Sequence, residues 1–139
     1  MPETTPTIVM AFGTFDYFHA GHEHYLKEAR ALGDQLIVVI ARDETVRRVK
    51  GQKPMYNERR RLRDVSASPS VTKAVLGNAD DKYKVIKKYK PHILALGYDQ
   101  FVFTYGLKQF LIKEKLDAEI VRLNAFEPRT FKSSIIRKA

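Results

Sequence analysis

The sequence predicts an α/β fold: a doubly wound, Rossmann-like, five-stranded parallel sheet with helices on both faces, in a single domain covering 1–139. Three observations carry this. Short apolar runs alternate with stretches whose apolar residues recur at helical spacing. The alternation continues along the chain with no internal repeat and no low-complexity linker, the pattern of a parallel sheet with helical crossovers. One run, "QLIVVIA" at 35–41, is apolar from Leu36 onward and rich in β-branched residues, as a strand covered on both faces must be.

Each element has its own signal. "TIVMAF" (7–12) reads as the first strand. Over 21–32, Tyr25, Leu26, Ala29 and Leu32 fall on one helical face and Lys27, Glu28 and Arg30 on the other. Gly33 is expected to end that helix in a left-handed conformation. After the second strand, 43–49 reads as a short helix and Gly51 to Pro54 as a loop. A helix over 57–67 is capped by Asn57, whose side chain can accept from the first turn. "VTKAVLG" (71–77) is the third strand, and 80–89 a helix stopped by Pro91. "HILALG" (92–97) is the fourth strand. Residues 105–116 form a helix with Leu107, Phe110, Leu111 and Leu116 inward. "AEIVRL" (118–123) is the fifth strand, with a helical tail from 132.

Composition narrows the chemistry. The 139 residues are 44% hydrophobic, enough for a real core. No apolar run approaches the roughly 20 residues that span a bilayer, so no membrane association is expected. The start, "MPETTPT", lacks the pattern of a signal peptide. Cysteine is absent, which excludes disulfides, thiolate metal sites and a cysteine nucleophile and fits a cytoplasmic protein. The net charge is +9, and residues 42–63 hold nine Lys or Arg against three acids. Such a run is a solvated face, a nucleic-acid surface or a site for a small polyphosphate. No RNA-binding aromatic motif, zinc finger or helix-turn-helix pattern gives the nucleic-acid reading a second support, and no nucleic acid is expected.

In a doubly wound sheet, ligands bind beyond the carboxyl ends of the strands where strand order reverses. The ends of strands one and four read "GTFD" and "GYDQ". The first continues as "GTFDYFHAGH" (13–22), which places two of the chain's four histidines at a strand-to-helix junction. Gly13 leaves room for a phosphate near the backbone, Thr14 and Phe15 offer N–H groups, and Gly21 allows a tight entry into the helix. His19 and His22 lie within one turn of a helix N-terminus, where unpaired N–H groups and partial positive charge favour an anion. His24, two positions on, should point elsewhere. A histidine pair can also bind a metal, but no third ligand stands nearby in the pattern.

The stretch "GTFDYFHAGH" resembles the GTFDxxHxGH signature of the cytidylyltransferase-like nucleotidyltransferases, a group that includes glycerol-3-phosphate cytidylyltransferases, phosphopantetheine adenylyltransferases and FAD synthases. A second family element, Arg-Thr followed by a serine cluster, is similar to "RTFKSS" (129–134), with Phe-Lys-Ser where the familiar form has Gly-Ile-Ser. "IARDETVRRVKGQKP" (40–54) and "ILALGYDQ" (93–100) look like the archaeal type of FAD synthase. The resemblance covers most of 8–100. In that family the C-terminal segment commonly carries cysteines, and this chain has none.

The resemblance implies attack by a phosphate oxygen of an acceptor on the α-phosphorus of ATP or CTP, with release of pyrophosphate. The favoured acceptor is FMN. Glycerol 3-phosphate or a related phospho-alcohol or phospho-sugar with CTP is the alternative. It implies that His19 and His22 hold the α-phosphate and that Gly13, Thr14, Phe15, Ala20 and Gly21 line the nucleotide site. One or more of Lys50, Lys53 and Arg61 would engage the β- and γ-phosphates. His22 should also help to set the loop, whereas His19 should not. Asp99 would face the sugar or base, and Arg129, Thr130 and Ser133 would complete the site. Mg²⁺ is expected with the triphosphate; Asp16 is the nearest carboxylate, equally suited to holding the turn. The family is often dimeric, so a homodimer is an open expectation.

Overall fold

The computed structural model describes residues 5–97, 100 and 106–124. Five parallel strands form one sheet: β1 (Ile8–Gly13), β2 (Gln35–Ile40), β3 (Lys73–Leu76), β4 (Ile93–Leu96) and β5 (Glu119–Arg122), in the spatial order β3-β2-β1-β4-β5. All four pairings are parallel. The chain steps outward from β1 to β3, returns to β4 beside β1, and steps outward again. Strand order therefore reverses between β1 and β4.

Helices cover both faces. On one side α1 (Ala20–Arg30) and α3 (Glu58–Ser66) supply Leu26, Ala29 and Val65 to a core with Val9, Ala11, Leu36, Val38, Ile40 and Ala95. On the other, α4 (Lys84–Tyr89) and α5 (Leu107–Lys113) supply Val85, Ile86, Leu107 and Leu111 against Met10, Phe12, Ile37, Val39, Leu94 and Leu96. Alternate residues of β1, β2 and β4 thus feed two separate cores, which is why these strands are apolar throughout. A further short helix, α2 (Asp43–Lys50), follows β2 and buries Val46.

The expected elements are present with shorter bounds. The helix foreseen over 80–89 begins at Lys84, because Asp81 accepts from the Tyr83 N–H and forms a turn there. Asn57 caps α3 as expected, accepting from the Arg60 N–H at 2.8 Å. Gly33 corrects its expectation. Helix α1 closes at Ala31 in right-handed geometry, and Gly33 has no positive φ. A Cβ at Gly33 would lie 2.8 Å from the Thr7 carbonyl oxygen and 2.8 Å from Val9 Cγ2, so close approach to β1 excludes a side chain. The helical tail from 132 lies outside the described residues.

Candidate functional site

Strand order reverses between β1 and β4, where sheets of this kind bind ligands, and side chains tie the two strand ends together. Gln100 donates through Nε2 to the Phe12 carbonyl at 2.7 Å and accepts the Gly97 N–H at 2.7 Å. The Tyr25 hydroxyl, on α1, donates to the Ala95 carbonyl at 2.7 Å. Arg122 donates to the Gly97 carbonyl at 2.7 Å. The ends of both strands are thereby fixed relative to α1.

Between β1 and α1 the chain takes two left-handed residues, Phe15 (φ 54°) and Tyr17 (φ 56°). The Phe15 ring turns back under the loop, is 3% exposed and stacks on Tyr25 at 6.2 Å between centroids. A Cβ at Gly13 would sit 2.8 Å from that ring. The absent side chain at Gly13 is therefore filled by Phe15 rather than left open for a ligand.

His19 and His22 close the start of α1 as a reciprocal capping box. The Gly21 N–H donates to His19 Nδ1 at 3.0 Å, and the His19 N–H donates to His22 Nδ1 at 3.2 Å. Their rings stack with centroids 3.9 Å apart. Both Nδ1 atoms accept, so in the neutral rings the proton stands on Nε2. Two fixed Nε2–H donors beside a helix N-terminus suit the oxygens of a phosphate. The expectation that His19 plays no part in setting the loop is corrected: it is the N-cap itself.

His22 is backed by Phe15, edge-on at 5.4 Å, and Phe18, stacked at 5.5 Å. Its pKa is lowered to about 4, first by burial, then by His19; Asp16 acts in the opposite direction, and Lys50 lowers it further. The His22 imidazole is therefore neutral near pH 7, as an Nε2–H donor requires. The influence of Lys50 brings that residue, the exposed last residue of α2, into electrostatic reach of the pair.

Four of the nine cations of 42–63 are committed to the fold. Arg61 is fully buried: Nε donates to the Tyr56 carbonyl, Nη1 to the Thr14 and Ala41 carbonyls, and Nη2 to the Asp43 carboxylate at 2.7 Å. The expectation that Arg61 touches the triphosphate is corrected on this ground, because its guanidinium ties together the ends of β1 and β2, the start of α2 and the loop before α3. Asp16 completes the tie. Its two oxygens accept the Met55 and Tyr56 N–H groups at 2.6 and 2.9 Å, so it fastens the 51–56 loop to the signature turn. Arg42 donates to the Gly77 carbonyl and pairs with Glu58; Arg48 donates to the Ala79 carbonyl; Arg60 pairs with Asp64 and lies 4.1 Å over the Tyr56 ring. Arg47, Lys50, Lys53, Arg59 and Arg63 have exposed side chains with no such partner among the described residues.

Of the expected site residues, the structure brings together Gly13, Thr14, Phe15, His19, Ala20, Gly21, His22 and Lys50. Ala20 is the first residue of α1, and the Thr14 carbonyl is occupied by Arg61. Lys53 lies apart, on a cavity of about 660 Å³ shared with Arg42, Glu44, Arg47 and Glu58, which neither histidine lines. Asp99, Arg129, Thr130 and Ser133 lie outside the described residues. Among the described residues no group of three or more His, Asp or Glu could hold a metal ion. Sequence reasoning missed the tying role of Arg61, although Arg61 and Val65 share one helical face with the buried Ser68. It also missed Gln100, for which the pattern held no signal beyond its position after strand four.

Comparison with known proteins agrees with this geometry. The cytidylyltransferase-like family profile matches residues 10–139. The chain is 42% identical over 130 residues to a FAD synthase of Thermoplasma acidophilum, covering 94% of this chain and 91% of the relative. It is 45% identical over 126 residues to a FAD synthase of Archaeoglobus profundus, covering 91% and 80%. A crystal structure described as a lipopolysaccharide core biosynthesis protein of Thermoplasma volcanium superposes with a TM-score of 0.83 at 41% identity, over 88% of this chain and all of that one. A pantoate-beta-alanine ligase of Francisella tularensis shares the fold alone, with a TM-score of 0.64 at 15% identity over 95% of this chain and 68% of that one. The reversed strand order, the capping histidines of "GTFDYFHAGH" and these matches agree: the chain belongs to the cytidylyltransferase-like family, with FAD synthases among its relatives.

Proposed function

We propose that this protein is an FMN adenylyltransferase, a FAD synthase. A phosphate oxygen of FMN attacks the α-phosphorus of ATP. A new P–O bond forms, the bond from the α-phosphorus to the bridging oxygen of the β-phosphate breaks, and pyrophosphate leaves with that electron pair. No covalent protein intermediate is needed. Such transfers depend on positioning and on charge stabilisation.

The observation that carries the reading is the histidine capping box. Backbone N–H groups hold both Nδ1 atoms, so both Nε2–H groups are aimed before substrate arrives, as stabilisation of developing charge on the α-phosphate requires. The Lys50 ammonium adds positive charge at the same place. Mg²⁺ would enter with the triphosphate and offset its charge; the nearest carboxylate, Asp16, is already engaged by two backbone N–H groups. Among the described residues no helix is long and apolar enough to cross a membrane. All of these residues belong to one chain, so one copy or a homodimer would serve equally.

The kinship to the Thermoplasma volcanium protein described as acting in lipopolysaccharide core biosynthesis favours a second reading, a phospho-sugar acceptor. One assay separates the two. The protein is incubated with Mg²⁺ and either ATP or CTP, with FMN, glycerol 3-phosphate or a sugar phosphate, and the products are weighed by mass spectrometry. FAD and pyrophosphate from FMN and ATP are expected. A CDP-linked alcohol or sugar without FAD would overturn the flavin assignment.

A further inference from the structure

Four large apolar side chains among the described residues stand well exposed, and two of them, Tyr17 (60%) and Met55 (72%), lie on the two segments that Asp16 joins. Asp16, next to Tyr17, accepts the N–H groups of Met55 and Tyr56, and the Tyr17 and Tyr56 rings lie 5.7 Å apart. Arg60 covers a face of Tyr56 at 4.1 Å. Tyr17 is left as the open aromatic surface of this group.

The backbone makes that placement notable. Phe15 and Tyr17 both adopt positive φ, a conformation unfavourable for bulky side chains. For Phe15 the strain is offset by burial of its ring at 3% exposure. Tyr17 has no such compensation. Asparagine or glycine would serve the turn better and leave no exposed ring. An observed strained residue that the fold does not require points to a ligand.

We propose that Tyr17, with Tyr56 and Met55 beside it, is the stacking platform for the isoalloxazine ring of the acceptor FMN; this rests on the FAD synthase reading. Position argues for acceptor rather than nucleotide. The nucleotide crevice of such a sheet lies between β1 and β4. Met55 and Tyr56 come from the loop between α2 and α3, and neither belongs to β1, β4 or the segment after β4. Reach agrees: Tyr17 stands two residues before His19, at most about 7 Å along the chain. A flavin ring on Tyr17 leaves its ribityl phosphate free to extend to the histidines. Chemistry agrees as well, because a planar apolar ring gains from aromatic faces, while the surrounding Arg and Lys suit its phosphate.

The test uses the full chain and FMN itself. Flavin fluorescence is titrated with protein, and KM values for FMN and ATP are measured, for the wild type, Tyr17→Phe and Tyr17→Asn. Asn accepts the left-handed turn, so the variant keeps the fold while losing the ring; a thermal melt checks this. Tyr17→Asn should weaken FMN binding and raise its KM roughly tenfold, with the ATP KM unchanged. Tyr17→Phe should stay within twofold of wild type. If the wild type makes FAD but Tyr17→Asn binds FMN as tightly, the platform is overturned and the FAD synthase reading stands. A rise confined to the ATP KM would overturn it equally. A wild type that neither quenches flavin fluorescence nor makes FAD would overturn both.

Discussion

His19 and His22 each do two things with one ring. Nδ1 caps the backbone of α1, and Nε2–H is left to meet the phosphate. The two roles can be separated by substitution. His19→Ala removes an N-cap and should cost about 1 kcal/mol of stability, along with about a hundredfold in kcat from loss of an aimed donor. His19→Asn restores a capping oxygen but not the donor at the distance of Nε2. Its melting temperature should return to near wild type while kcat stays low. A recovery of turnover with the melting temperature would mean that His19 acts only through the helix.

The lowered pKa of His22 gives a pH dependence with a definite sign. Unfolded, the ring titrates near 6.5; folded, it resists protonation until about 4. Between these values the unfolded chain binds the extra proton, so the contribution is fully present above pH 6.5 and is lost as the pH falls toward 4. Protonation also places a hydrogen on Nδ1 and breaks the bond from the His19 N–H. The ring protons of His22, followed by NMR, should titrate well below those of a free histidine. His22→Asn should flatten the part of the urea-midpoint profile between pH 6.5 and 4 that belongs to this group. An ordinary midpoint near 6.5 would show that the ring is not held as described.

At the scale of elements, α2, the 51–56 loop and α3 act as one arm on the signature turn. Arg61 reaches three carbonyls and Asp43, and Asp16 receives the loop from the other side. Arg61→Met would leave those carbonyls and the Asp43 carboxylate without their donor. It should lower stability by about 3 kcal/mol in urea unfolding and raise the ATP KM by displacing the arm. Lys50 is the contrasting case. It is exposed and unpaired among the described residues, so Lys50→Ala should leave the melting temperature within a degree or two. It should raise the KM for ATP, and the difference from wild type should shrink at high salt, as for any partly exposed charge contact. An unchanged KM would assign Lys50 to the solvent-facing side of α2.

At the scale of the molecule, the +9 charge is concentrated in 42–63, but part of that run is spent inside the chain. Arg42, Arg48, Arg60 and Arg61 are tied to carbonyls or carboxylates within their own chain, which leaves five of the nine cations of 42–63 for an external partner. Binding to a generic RNA should be weak at physiological salt, and added RNA should not alter the rate of FAD formation. Tight, steeply salt-dependent RNA binding would restore the nucleic-acid reading.

Local periodicity and turn chemistry were legible in the chain alone. Apolar runs doubly buried in β1, β2 and β4, the Asn57 cap, and the histidines at the strand-to-helix junction are all written in neighbouring residues, because side-chain period and capping act over a few positions. What depends on distant partners came from long-range packing. Gly33 is glycine because β1 passes 2.8 Å away, and Gly13 because the Phe15 ring fills its place. Arg61 looked like a free cation in a basic run, yet carbonyls from positions 14 and 41 surround it, and no local pattern reports which carbonyls the fold will deliver. Charge is legible in sequence. Whether that charge meets solvent, a phosphate or the chain's own backbone is settled by long-range packing, since burial of a guanidinium is tolerated only where the fold supplies acceptors for it.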